Sequence, residues 1–145
     1  MAGTKKRWEP INFVFYFQFV LIPVLIAGAA EIFLRWLLVW LWPDLSFGLI
    51  DLLMWLIRLA AFVWIGRQVV KSYGQINAIG ALAGGIAGFA IGLIVAASRF
   101  SAGFRIWKVF NLATESILTA LAGCLLVYML VLLWDNLPKK VTGNK

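Results

Sequence analysis

The chain of 145 residues has no histidine and one cysteine, Cys124. Without histidine the side chain that most often moves protons near neutral pH is missing, and with it the commonest zinc and haem ligand. One cysteine closes no disulfide within the chain and forms no thiolate cluster. No metal site and no cofactor are therefore expected. Carboxylates are scarce too, six against thirteen Lys and Arg. The only ones that pair within apolar segments face arginines, so general acid or base work lacks obvious players and an enzyme is not expected.

Apolar residues fill the space left by these absences. Hydrophobic residues make up 63% of the chain and charged ones 13%, with a mean hydropathy of +0.95. Soluble domains average about 45–50% apolar and about 25% charged. The chain therefore reads as an all-α, polytopic integral membrane protein. At ~20 residues per crossing, four spans, short loops and two tails use the whole length. Residues 1–145 then form a single transmembrane domain. A net charge of +7 would point a soluble protein toward nucleic acid. Here the Lys and Arg flank apolar runs, where they set topology and meet anionic lipid headgroups, so no nucleic-acid partner is expected.

The first apolar run follows Lys5, Lys6, Arg7 and Trp8 and extends from Ile11 to Trp42. A secretory signal has an apolar core of about 7–15 residues, so this longer run reads as a retained span. At ~1.5 Å per residue it measures about 48 Å against ~30 Å of hydrocarbon. It must tilt, kink at Pro23, or turn into the interface over Glu31–Trp42, where Trp36, Trp40 and Trp42 would anchor it. Pro43, Asp44, Leu45 and Ser46 form a turn, and a second span follows over 47–70. Folding the two spans back on this turn sets Glu31 opposite Arg58 and brings Arg35 near Asp51 and Trp55. Glu31 and Arg35 also stand four apart in the favourable order. These four charges read as an intramembrane polar network, either a structural clamp on the hairpin or a relay.

The third span, 77–98, carries Gly80, Gly84, Gly88, Gly92 and then Ala96 at every fourth position, with Ala81 and Gly85 beside them. Small residues at this spacing let helix backbones approach closely, which matters in lipid because burial of apolar surface no longer drives association. The stripe predicts packing against helix four or two of the same chain, or between protomers. No strand precedes the glycines and no Lys-Ser or Lys-Thr follows them, so they are not a nucleotide-binding loop. The fourth span, 109–134, carries Ser116, Ala120 and Cys124 as a second small row, the natural partner of the first, with Thr119 and Gly123 beside it. Glu115, with Asn111 and Thr119 nearby, has no basic residue expected at its own depth. It is a candidate proton or cation site, the alternative being a helix-stabilising carboxylate bonded to Asn111 and Thr119 or reaching Lys108.

The glycine-rich helix, the basic loop at Arg99–Lys108 and the carboxylate-bearing helix resemble, over about Gly80 to Leu133, the proton-carrying hairpin of rotary ATPase rotor subunits. The likeness is one of physical pattern. In that family the carboxylate sits deeper in the bilayer than Glu115, and the first two spans have no counterpart, so the family's function is not carried over.

With four spans, both termini and the second loop share one side, with eight Lys and Arg against three on the other. The positive-inside rule then puts both termini in the cytoplasm, in a bacterial or archaeal inner or plasma membrane. The expected fold is a four-transmembrane-helix bundle with a glycine-striped third helix. The expected function is a helix-packing structural or assembly subunit, partnered by the bilayer, anionic headgroups, and copies of itself or other membrane subunits. The alternative is an ion or proton channel, or a small transporter, using Glu115 and the Glu31/Arg58 pair.

Overall fold

The computed structural model describes residues 13–73, 77–98 and 106–136. The basic cluster Lys5–Arg7 with Trp8, the loop residues Arg99 and Arg105, and the tail from Lys139 lie outside the described residues. Four helices follow one another: α1 (Phe13–Leu41), α2 (Phe47–Tyr73), α3 (Asn77–Ser98) and α4 (Ile106–Asn136). Each contains a segment long and apolar enough to cross a membrane: Val20–Leu41, Phe47–Ser72, Ala78–Ser98 and Trp107–Trp134. The fold is an all-α four-helix membrane bundle. α2 runs three residues past its expected end, and α4 starts at Ile106 rather than 109. No Gly or Pro lies in either added stretch to stop a helix.

α1 continues through Pro23 to Leu41, so the stretch from Glu31 onward stays helical. The turn to α2 has local causes. Pro43 follows Trp42, whose carbonyl accepts from the Leu45 N–H at 3.1 Å, and proline's fixed φ suits the second position of such a turn. Ser46 then caps α2. Its carbonyl accepts from Leu49 and Ile50, and its Oγ accepts weakly from the Leu49 N–H at 3.4 Å, satisfying a donor that the first helical turn leaves open.

The inward face of α1 is Val20, Pro23, Val24, Ala27, Gly28 and Glu31, at alternating steps of three and one, while Leu21, Ile22, Leu25 and Ile26 point out. Apart from Glu31 both faces are apolar, as suits a helix whose solvent is lipid. The core combines Phe62, Ile65 and Val69 of α2, Ala83, Ala87, Ile91 and Val95 of α3, and Val127 and Val131 of α4. α2 touches the other three helices. α1 also touches α3, and among the described residues α1 and α4 do not meet.

The glycine stripe is taken up within the chain, along the α3–α4 seam. A Cβ on Gly84 would strike the Gly123 carbonyl, and one on Gly88 the Thr119 carbonyl. One on Gly80 would come within 2.8 Å of Val131 Cγ2, and one on Gly92 within 2.7 Å of Ser116 Cα. Each step of four along α3 is thus met by a similar step back along antiparallel α4. The facing row differs in part from the expected one. Ser116, Thr119, Gly123 and Val127 are buried in the seam, while Ala120 and Cys124 are half-buried on its flank, beside Gly85. A row of strict fourth positions drifts about 40° per step around a helix, and the step of three from Ser116 to Thr119 keeps the seam on one face. Ala96 is buried one step beyond Gly92.

Candidate functional site

The interior of this apolar bundle holds charge. Arg58 lies eleven residues into α2, roughly 16 Å along the axis and so near the middle of a ~30 Å hydrocarbon layer. An arginine there is tolerated only where its donors find acceptors. Nε and Nη2 donate to Glu31 of α1, at 2.8 and 2.6 Å, a bidentate pair. Nη2 also donates to Glu115 Oε1 of α4 at 2.9 Å, and Nη1 donates to Thr119 Oγ1 at 3.1 Å. The Thr119 hydroxyl in turn donates to the Glu115 carbonyl at 2.7 Å. Trp55, one turn before Arg58, sets its ring 5.1 Å from the guanidinium carbon, a cation–π contact. One side chain therefore ties three helices together, with Glu31 and Arg58 both buried.

Arg35 and Asp51 form a second ion pair between α1 and α2, nearer the turn that joins them and more open, with Asp51 more than half exposed. Glu31 and Arg35, though one turn apart, each reach across to α2. Trp55 lies against Arg58.

Glu115 departs from expectation: it does have a basic partner, Arg58. The expectation counted only residues level with Glu115 on consecutive helices, whereas α2 and α4 are neighbours in space with α3 between them in sequence. A long guanidinium side chain bridges that gap. Thr119 joins the same network, and Asn111 lies one turn from Glu115 on the wall of a cleft between α2 and α4.

The cleft is an open groove of about 360 Å³, lined by Asp51, Met54, Trp55 and Arg58 on α2 and by Asn111, Thr114, Glu115, Leu118 and Thr119 on α4. α2 and α4 are alternate crossings and so run in the same direction. Asp51 and Asn111, both near the starts of their helices, mark the end of the cleft at the membrane face of the α1–α2 turn. Exposure falls inward, from 57% for the Asp51 side chain to 21% for Glu115 and 4% for Arg58. Beyond Arg58 the interior is apolar: Phe62, Ile65, Val69, Val127 and Val131 are all fully buried. The site is polar toward one membrane face and closed by hydrocarbon toward the other.

Sequence reasoning named the charged members but missed Met54 and Leu118 as cleft walls. Neither carries a signal that separates it from any other lipid-facing or core residue. Among the described residues no group of three or more His, Cys, Asp or Glu is placed to hold a metal ion. Protein-family models, curated proteins and solved structures give no match to this chain.

Proposed function

We propose that this small integral membrane protein is a transporter-type, non-enzymatic component that takes up a proton or small monovalent cation at Glu115 from one side of the membrane. The observation that carries this reading is the sharing of Arg58 between two unequal carboxylates. Glu31 is sealed and holds the guanidinium by two bonds, whereas Glu115 faces the cleft and holds it by one. Of these two carboxylates Glu115 is the more exposed and the one that a cation can reach, and Arg58 keeps Glu31 and Thr119 as partners when its bond to Glu115 is released. The apolar layer beyond Arg58 favours a carrier over an open channel, since a conducting path would need polar groups on both sides of the network. With both termini cytoplasmic, the cleft opens to the exterior.

The test is reconstitution into liposomes with an entrapped pH or cation indicator, comparing wild type with Glu115→Gln. Flux or saturable cation binding that disappears in the variant supports the reading; equal behaviour of the two proteins overturns it.

A second reading, a helix-packing structural or assembly subunit, is favoured by the buried bidentate Glu31–Arg58 pair, which locks α1 to α2 whatever Glu115 does. Self-association, if part of that role, would need a surface other than the glycine stripe, which α4 covers. This reading takes over if Glu115→Gln lowers thermal stability and wild-type liposomes show no flux.

A further inference from the structure

The cleft holds more room and more hydrogen-bonding character than a proton or an alkali ion requires. We propose that its ligand is a small organic ammonium ion, one positively charged N–H donor group carrying an apolar substituent. The proposal rests on the cation reading above and names the class of cation.

Size is the first argument. A water molecule occupies about 30 Å³ of the liquid, and small-molecule pockets start near 300 Å³. At about 360 Å³ the cleft belongs with the latter. Charge is the second. On the lining Asp51 is exposed and paired with Arg35, and Glu115 is part-buried and paired with Arg58, whereas the Arg58 guanidinium is covered and also bonded to Glu31 and Thr119. An anion entering the cleft would meet carboxylates first.

Donor and acceptor balance is the third argument. The Thr114 hydroxyl donates to the Phe110 carbonyl at 2.9 Å, and that of Thr119 to the Glu115 carbonyl. With its proton committed, Thr114 presents only lone pairs to the cleft, beside the Glu115 carboxylate. These acceptors suit a ligand with several N–H donors. The remaining lining, Met54, Trp55 and Leu118, is apolar and matches a hydrocarbon substituent.

The test uses the full chain in nanodiscs, with benzylammonium as probe. Benzyl alcohol serves as its neutral counterpart, benzoate as an anion of similar size, and sodium and potassium as bare cations. Binding is read by calorimetry and by the thermal midpoint. The expected result is saturable binding and a rise of several degrees for benzylammonium alone, lost in Glu115→Gln. Thr114→Val, which leaves the Arg58 network intact, should weaken binding about tenfold, the worth of one hydrogen bond of roughly 1.4 kcal/mol. It keeps the proposal testable should Glu115→Gln fold poorly. Equal stabilisation by benzyl alcohol, preference for benzoate, or wild-type affinity in Thr114→Val overturns it. Glu115-dependent binding of protons, sodium or potassium without benzylammonium overturns the ligand class and leaves the cation reading standing. No binding of any cation removes both.

Discussion

Arg58 grips Glu31 through two nitrogens, Nε to Oε2 at 2.8 Å and Nη2 to Oε1 at 2.6 Å, across the α1–α2 interface at mid-membrane depth. The fork geometry of a guanidinium meets a carboxylate edge with two parallel bonds. Few other pairs can bury two opposite charges so completely. Thr119 and Glu115 occupy the donors that face away from Glu31, so charge and hydrogen bonding are met together.

Removing one member of this pair leaves the other charged inside hydrocarbon. Arg58→Ala should destabilise by about 3–5 kcal/mol, the usual range for breaking a buried pair. Glu31→Ala should cost much less in that background than in wild type, because coupled residues are not additive. Arg58→Lys should not restore stability, since an ammonium cannot reproduce the fork. The half-buried Cys124, the chain's one thiol, supplies the readout: thermal exposure to a thiol-reactive fluorophore. Equal costs of Glu31→Ala in the two backgrounds would refute the coupling.

The outer pair should behave differently. Arg35 and Asp51 are partly open, and exposed ion pairs contribute about 0–1 kcal/mol. Asp51→Asn should therefore shift the unfolding midpoint little compared with Glu31→Gln. A loss as large as that of the inner pair would show that the cleft mouth is far less hydrated than its exposure implies.

Along the α3–α4 seam, Gly84→Ala and Gly88→Ala each push a methyl group into the backbone of α4. The helices must separate, at about 1–3 kcal/mol each by analogy with overpacked cores. Gly48 is the internal control. A Cβ there meets nothing within 4 Å, so Gly48→Ala should be neutral or stabilise by roughly 0.5–1 kcal/mol through helix propensity. Thermal midpoints of the three variants in one detergent decide the matter, and a stable Gly84→Ala would contradict the close seam.

Two neighbouring hydroxyls on α4 should respond oppositely. Thr119 accepts from Arg58, and Thr119→Val leaves an arginine donor unpaired, at about 1–3 kcal/mol. Ser116 Oγ is buried with no hydrogen-bond partner among the described residues. Its side chain sits in the seam for its size, and Ser116→Ala should be neutral or stabilising. A large loss for Ser116→Ala would reveal a bonding role that the structure lacks.

The sequence by itself determined the number of crossings, because runs of ~20 apolar residues have one stable destination and the backbone must satisfy its own hydrogen bonds there. It also determined the partners inside the first hairpin. Pro43–Ser46 is too short to let α1 and α2 slide, so Glu31 meets Arg58 and Arg35 meets Asp51 by register. What only the tertiary structure decided concerns helices that no short turn connects. Whether the α3 glycines would close on α4 or lie open to another copy depended on which residues faced them, and Ser116, Thr119 and Gly123 present a surface thin enough to admit the backbone of α3. The meeting of Arg58 with Glu115, and the cleft beside it, depended on α2 and α4 becoming neighbours. Their register is set by the packing of α3 between them in sequence and against both in space, and no local pattern records it.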